Sequence, residues 1–183
     1  GRTIDKIFVA KGDTDRTLGR ILQKARERGI VITECDRRKL DAMSVTGAHQ
    51  GIIAQASMRE YHSVEDMLAL AEERRDPPFI VICDEIADPH NLGAIIRTAL
   101  CAGVHGIVIC RPHAVPLTDA VAKTAAGALE YMPIAKVSSI ARLVDELKKE
   151  NVWTACADMD GQNVFTMDLS GPLALVIGGE HEG

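Results

Sequence analysis

Two short segments of the sequence combine polar side chains with positions where α/β proteins bind ligands. The first, DEIADPHN (residues 84–91), follows an apolar run and leads into a helical pattern. The second, GGEHEG (residues 178–183), also follows an apolar run. In folds built on parallel strands, ligands bind where a strand ends and the next segment begins. Both segments are therefore candidate binding loops.

Arg97 is the charged residue whose position is hardest to explain by a purely structural role. It lies away from the apolar face of a helix predicted over residues 91–103, six residues after Asn91 and so less than two turns from it. A guanidinium there can reach the crevice at the strand end. Two alternatives stay open, because Asn91 is also a good helix N-cap and Arg97 could form a structural ion pair with Asp84 or Glu85.

The residue types in the two loops favour some ligands over others. The carboxylates and the histidine of residues 84–91 crowd one loop with no distant partner, which argues against a metal site. The glycine spacing of residues 178–183 fits the start of a P-loop, but its two carboxylates would repel phosphates. A glutamate beside glycines, Glu180, suits a polar, hydroxyl-bearing or cationic ligand better. No GxGxxG follows a predicted strand, which argues against a nicotinamide enzyme.

The elements that carry these loops fall into two groups. Residues 1–60 predict strand, helix, strand, helix and strand, a small α/β sandwich whose first helix is capped by Asp13 or Thr14. A charged helix that ends in a double proline predicts a linker over residues 61–77. Residues 78–183 alternate apolar strands with helices and predict a doubly wound parallel sheet. One of its helices is predicted over an alanine-rich run, LTDAVAKTAAGALEY.

Composition limits the classes of protein that fit. The chain has 183 residues, of which 46% are hydrophobic, and no apolar stretch approaches the roughly 20 residues of a membrane helix. Five cysteines without a CxxC pair argue against disulfides and structural zinc and favour a reducing compartment, so we expect a cytoplasmic protein.

Charge is divided unevenly along the chain. Residues 1–60 contain 12 Lys and Arg against 8 Asp and Glu, whereas residues 61–183 contain 9 against 18. A basic first third fits a nucleic-acid module, although an ordinary solvated helix face explains the same charges.

Three segments together carry a family resemblance: DPHNLGAIIRTALCAGVHGIVI, AKTAAGALEYMPIAKV and LALVIGGEHEG. They resemble the first two motifs of the SpoU/TrmH family of RNA 2'-O-ribose methyltransferases, which belong to the SPOUT superfamily. GAHQGIIAQ resembles the end of the L30e-like domain of members that modify a guanosine of large-subunit ribosomal RNA.

The resemblance implies a fold, a cofactor and a set of site residues. Asn91 and Arg97 match the first motif and Glu180 the second, and these are the predicted catalytic residues. Gly178 and Gly179 match the loop that holds the adenosyl part of S-adenosylmethionine, and Ala157, at the end of the strand VWTACA, completes the predicted cofactor set. The implied fold is an L30e-like domain (1–60) followed by a parallel-sheet, trefoil-knot methyltransferase domain (78–183).

The resemblance also implies partners and a reaction. We expect a homodimer that binds RNA, most simply ribosomal RNA, through its basic domain, with no metal and no membrane. Transfer RNA as the substrate, or RNA binding without catalysis, are the alternatives. In the reaction, Arg97 would orient or help deprotonate a ribose 2'-hydroxyl. Asn91 and Glu180 would hold Arg97 and the active-site loops in place. The family's third motif has no counterpart here, so a chain ending at Gly183 is expected neither to close the knot nor to bind the cofactor well.

Overall fold

The chain forms two compact units, Gly1–Glu60 and Tyr61–Gly183. The computed structural model describes residues 4–12, 15–44, 46–56, 59–111 and 115–179. Within those ranges no helix combines the length and the apolar character needed to cross a membrane.

The first unit has the order of elements that the sequence predicts. Its elements are β1 (Ile4–Ala10), α1 (Arg16–Glu27), β2 (Val31–Cys35), α2 (Arg37–Met43) and β3 (Ile52–Ala56). The sheet order is β2-β1-β3, with β1 parallel to β2 and antiparallel to β3. Phe8, Cys35 and Leu40 form its buried cluster.

The first helix begins later than the sequence pattern suggests. Asp15 is the N-cap of α1, and its Oδ1 accepts a hydrogen bond from the Thr17 N–H at 3.1 Å. A short carboxylate side chain at this position satisfies one of the unpaired N–H groups of the first turn. The predicted cap at Asp13 or Thr14 is therefore wrong, and both residues lie outside the described ranges.

The second unit contains a five-stranded sheet with helices on both faces. Its elements are α3 (Val64–Arg74), β4 (Phe79–Asp84), α4 (Pro89–Cys101), β5 (Gly106–Cys110), α5 (Asp119–Ala125), β6 (Ile134–Val137), α6 (Ile140–Lys149), β7 (Trp153–Cys156) and β8 (Leu173–Gly178). The strand order is β6-β5-β4-β8-β7, and every pair is parallel. The predicted parallel α/β sheet is confirmed. The trefoil knot stays a prediction.

Both faces of this sheet are buried, as continuous apolar strands predict. Alternate residues of each central strand point to opposite faces. Ile80, Ile82 and Val108 pack with α3 and α6 on one face. Val81, Cys83 and Ile109 are among the residues that pack with α4 and α5 on the other face.

Helix α3, which the sequence assigns to a linker, packs in the second unit. Met67 and Ala71 on this helix are completely buried. Gly106 at the start of β5 allows the close approach, since a Cβ there would overlap the Met67 side chain. The structure therefore places the predicted linker helix on the sheet of the second unit, because its apolar face is covered there.

Helix α4 begins before Asn91. Asp88 is its N-cap and accepts a hydrogen bond from the His90 N–H at 2.9 Å. Pro89 follows as the first helical residue, where a missing N–H costs nothing and a fixed φ favours the helix. Asn91 lies in the first turn, so its predicted role as the N-cap is wrong.

The alanine-rich helix is shorter than predicted and holds α4 in place. It ends at Ala125 because Ala126 and Gly127 adopt φ values of 49° and 88°. Gly93 of α4 lies against it, and a Cβ at Gly93 would stand 2.6 Å from the Thr124 Cβ and 2.9 Å from the Val121 carbonyl oxygen. The His90 Nδ1 and the Thr124 Oγ1 lie 3.1 Å apart, which joins the two helices at the same place.

We predict that Gly93→Ala destabilises the protein by about 1–3 kcal/mol, because the added methyl collides with backbone and with a β-branched side chain. Thermal unfolding measures the effect. Gly19→Ala in α1 is the matched control, since no atom lies within 4 Å of a Cβ there, and alanine favours a helix over glycine. A Gly93→Ala protein as stable as the wild type would contradict this account of the contact between α4 and α5.

Candidate functional site

A cleft of about 400 Å³ lies where β4 and β8 end and α4 begins. These strands pair in parallel, with Asp84 opposite Gly178, so the loops that follow them meet at one edge of the sheet. The cleft is lined by Glu85, Ile86, Ala87, Asp88, Asn91, Ala94, Ile95, Ile177, Gly178 and Gly179. The structure thus brings the two candidate loops of the sequence together.

Gly178 and Gly179 differ in whether the fold requires a glycine at their positions. A Cβ at Gly179 would stand 2.5 Å from the carbonyl oxygen of Glu85 and 3.1 Å from its carbonyl carbon. Only glycine allows the two loops to lie this close. A Cβ at Gly178 would meet no atom within 4 Å. Gly178 therefore leaves space beside the cleft that the fold itself does not require.

Asn91 and Arg97 lie on the exposed side of α4, but they relate differently to the cleft. Asn91 lines it, whereas the lining residues in the described part of the chain do not include Arg97. Arg97 is one turn beyond Ala94, which does line the cleft, and helical side chains lean toward the helix N-terminus. A long side chain at position 97 can therefore reach toward the cleft end of α4.

The competing ion pair of Arg97 is not found. Within residues 59–111 and 115–179, no salt bridge joins Arg97 to Asp84 or Glu85. In the part of the chain that the structure describes, an ion pair with Asp84 or Glu85 therefore does not account for this guanidinium.

Of the two remaining predicted site residues, the structure describes Ala157, which lies at the same edge of the sheet. Ala157 follows β7, and its N–H donates to the Val176 carbonyl oxygen at 2.9 Å, so its loop begins beside β8. Ala157 is exposed and is not among the described residues that line the cleft. Glu180 lies outside the described residues.

Two cysteine thiols near the strand ends are held in the protonated form. Burial raises the pKa of Cys83, on β4, to about 12. Burial also raises the pKa of Cys110, at the end of β5, and the carboxylates of Asp84 and Glu85 raise it further. Because the thiolate is the reactive form of cysteine, these shifts lower the nucleophilicity of both side chains at neutral pH.

The apolar part of the cleft was not predicted from the sequence. The apolar lining residues belong to sequence segments whose pattern predicts only a buried core: Ile86, Ala94, Ile95 and Ile177. Their spacing does not distinguish the wall of a cleft from a packed helix or strand face. Among the residues that the structure describes, no three His, Cys, Asp or Glu side chains are grouped in a way that could hold a metal ion.

The first unit presents a basic surface of its own. The exposed basic residues of its two helices and of the C-cap of α1 are Arg20, Lys24, Arg26, Arg28, Arg37, Arg38 and Lys39. The ammonium groups of Lys6 and Lys39 lie 5.3 and 5.7 Å from the centre of the Phe8 ring. Clustered, solvated cations of this kind contact phosphates without regard to base sequence.

Comparison with known protein families matches each part of the chain. Residues 78–183 match the SpoU rRNA methylase family. Residues 1–62 match a domain described as RNA 2'-O ribose methyltransferase substrate binding. The chain therefore belongs to the SpoU family of RNA 2'-O-ribose methyltransferases, enzymes that use S-adenosylmethionine as the methyl donor.

Individual relatives agree over nearly the whole chain. The TrmH-family tRNA/rRNA methyltransferase YacO of Bacillus subtilis (strain 168) is 43% identical over 183 residues, which are 100% of this chain and 73% of that protein. The 23S rRNA (guanosine-2'-O-)-methyltransferase RlmB of Yersinia pestis is 36% identical over 179 residues, covering 97% and 72%. The crystal structure of the SpoU methyltransferase AviRb from Streptomyces viridochromogenes with AdoMet has a TM-score of 0.58 at 19% identity, covering 100% and 68%.

The cleft suits the methyl donor of this family. Its apolar walls fit an adenine ring, the open space beside Gly178 admits a ligand close to the backbone, and Glu85 and Asp88 add negative charge beside it. Hydroxyl groups and a sulfonium both favour carboxylates as neighbours.

We predict that Gly178→Ala weakens cofactor binding alone, whereas Gly179→Ala also lowers thermal stability. Gly178→Ala should leave the thermal midpoint unchanged but weaken binding of S-adenosylmethionine about tenfold, because the methyl fills ligand space. Gly179→Ala should lower the thermal midpoint as well, because its methyl meets backbone. Calorimetric titration and thermal unfolding of the full-length protein measure the two effects. Equal losses of stability in both variants would contradict the distinction.

Proposed function

We propose that this protein methylates the 2'-hydroxyl of a guanosine in large-subunit ribosomal RNA. The observation that carries the proposal is the cleft that joins the loop after β4 to the loop after β8, with Asn91, Gly178 and Gly179 at its wall. The family fixes the reaction class. The particular RNA is our inference.

Ribosomal RNA is favoured over transfer RNA by the names of close relatives. The RlmB proteins of Yersinia pestis and Pectobacterium atrosepticum are each 36% identical to this chain and are named for a guanosine of 23S rRNA. The basic surface of the first unit supports a large, folded RNA, because double-stranded RNA is recognised mainly by its shape and phosphates. Transfer RNA is the alternative that the relatives favour less.

Gly178, Gly179 and Ala157 are the residues that we assign to the cofactor. S-adenosylmethionine, when bound, supplies an electrophilic methyl group on a positively charged sulfur. Gly178 and Gly179, whose backbone lines the cleft, would hold the adenosyl group, and Ala157 extends the same edge of the sheet. The apolar walls exclude water from the reacting atoms, which strengthens every polar contact made there.

Arg97 is the residue that we assign to the ribose. A guanidinium stays charged at neutral pH and is a poor proton acceptor. It orients the 2'-hydroxyl by donating hydrogen bonds to its oxygen and to a neighbouring RNA phosphate. As the 2'-oxygen takes the methyl group from sulfur, the hydroxyl proton passes to an oxygen of that phosphate and on to solvent. Asn91, on the wall of the cleft, holds the ribose edge of the site, and Glu180 completes the catalytic set.

We also propose that the protein acts as a homodimer. Apolar side chains on and after the edge strand β7 support this, since Trp153 is 78% exposed and Phe165 is 93% exposed. Exposed apolar groups of this size mark interaction surfaces in soluble proteins. Sedimentation equilibrium of the full-length protein is the measurement, and the mass of a single protomer at micromolar concentration would contradict the proposal.

We place the protein in the cytoplasm, because ribosomal RNA is the proposed substrate. Fractionation of expressing cells is the direct measurement, and recovery in the membrane fraction would contradict it.

Methyl transfer to purified RNAs tests the substrate. The full-length protein and labelled S-adenosylmethionine should transfer about one methyl group to each unmodified large-subunit ribosomal RNA and far less to transfer RNA. Nuclease digestion should recover the label in a 2'-O-methylguanosine dinucleotide, because a methylated 2'-oxygen blocks cleavage at that position. Preferential labelling of transfer RNA, or label on a base, would contradict the proposal.

Arg97→Ala tests the catalytic assignment. We expect kcat to fall about 100-fold or more while RNA affinity changes little, because the contacts are made mainly in the transition state. Thr98→Ala, an exposed neighbour on the same helix, is the matched control and should keep normal kcat. Near-normal methyl transfer by Arg97→Ala would remove Arg97 from the mechanism.

A further inference from the structure

A second cavity of about 310 Å³ lies where β5 and β6 end and α6 begins. Its lining includes three basic residues that are far apart in the sequence: Arg111, Lys136 and Arg142. Ser138 and Ser139 add two hydroxyl groups. Neither the family assignment nor the proposed catalytic set gives this cavity a role.

The charge of the cavity favours an anion. Glu146 is the one carboxylate among the described lining residues, and its Oε1 accepts from the Arg142 Nε at 2.9 Å. That bond uses the Nε–H, and the two terminal amino groups of the guanidinium are separate donors. The described lining thus contains three basic side chains and one carboxylate, although the unit as a whole is strongly acidic.

Two contacts give the basic groups a defined arrangement. The Lys136 ammonium lies 5.2 Å from the centre of the Tyr61 ring, which restricts a side chain that is otherwise flexible. Ser139 caps α6, and its Oγ accepts from the Arg142 N–H at 3.3 Å. The positive end of this ten-residue helix therefore adds to the side-chain charges of the cavity.

The cavity lies at the same edge of the sheet as the cleft. All strands are parallel, and β5 and β6 continue the sheet from β4, so both sites collect loops that follow strand ends. Neighbouring strands are about 5 Å apart, which places β6 about 10 Å from β4. A single RNA strand crosses such a distance within a few nucleotides.

We propose that this cavity binds a backbone phosphate of the substrate RNA, close to the nucleotide that is methylated. The inference rests on the proposed function for the identity of the RNA. A phosphodiester has one negative charge and two exposed oxygen atoms, which Arg142 and the serine hydroxyls bind as hydrogen-bond donors. The cavity thus fixes the position of the strand while the cleft holds the reacting ribose.

Charge-changing variants of the full-length protein test the proposal with opposite signs. Arg142→Gln and Lys136→Gln should each raise the KM for RNA about tenfold with little change in kcat, and should reduce the salt slope of RNA binding by about 0.7–0.9. Glu146→Gln should tighten RNA binding about threefold, because it removes the carboxylate that opposes the phosphate. Lys148→Gln, the same loss of charge at the other end of α6, is the control and should behave like the wild type.

Several results would overturn the proposal. One is an effect of Arg142→Gln no larger than that of Lys148→Gln. Another is a raised KM for S-adenosylmethionine in place of RNA, which would assign the cavity to the cofactor carboxylate. Arg142→Lys, which keeps the charge, should recover part of the affinity, and unchanged thermal midpoints exclude a folding defect. RNA affinity and salt slope do not depend on methyl transfer, so a wild type that binds RNA through this cavity without methylating it would contradict the proposed function alone.

Discussion

The burial of the parallel sheet on both faces is the constraint on which the second unit depends. Helices α3 and α6 cover one face, and α4 and α5 cover the other, so the central strands β4, β5 and β8 carry apolar side chains along their length. Polar and charged side chains of these central strands are confined to their ends, because a buried charge without a partner is strongly unfavourable. All strands are parallel, so one edge of the sheet collects the loops after β4, β5, β6, β7 and β8. The cleft and the basic cavity both lie at this edge.

Close packing then determines which loops can approach one another. Gly93 lets α4 lie against α5, and Gly179 lets the loop after β8 lie against the backbone of Glu85. Each contact leaves no space for a Cβ, and packed protein interiors resist even one added methyl group. Asn91 is therefore presented by a helix that is packed closely against α5. A site on such a support needs little rearrangement before it binds a ligand.

Much of this organisation could be predicted from the sequence. Continuous apolar strands predict the parallel sheet, and the positions of Asn91, Gly178 and Gly179 after strands predict one shared crevice. The first residue of each helix was harder to predict, because several nearby side chains can serve as the N-cap. At α4, Asp88 followed by Pro89 forms a better cap than Asn91. The break at Ala126 was missed since nothing about an alanine predicts a positive φ. The basic cavity could not be found at all, because Arg111, Lys136 and Arg142 become neighbours only through the strand order.

The protonated thiols at the strand ends affect how readily the methyl donor could alkylate the protein. A sulfonium methyl donor reacts with any good nucleophile, and a thiolate is among the best that a protein contains. Cys83 lies on β4 opposite Ile177, whose side chain lines the cleft. A pKa raised by burial to about 12 keeps the Cys83 thiol protonated at neutral pH. The carboxylates of Asp84 and Glu85 raise the pKa of Cys110, so this thiol is also less often ionised. The raised pKa values of both thiols therefore lower their reactivity toward a methyl donor.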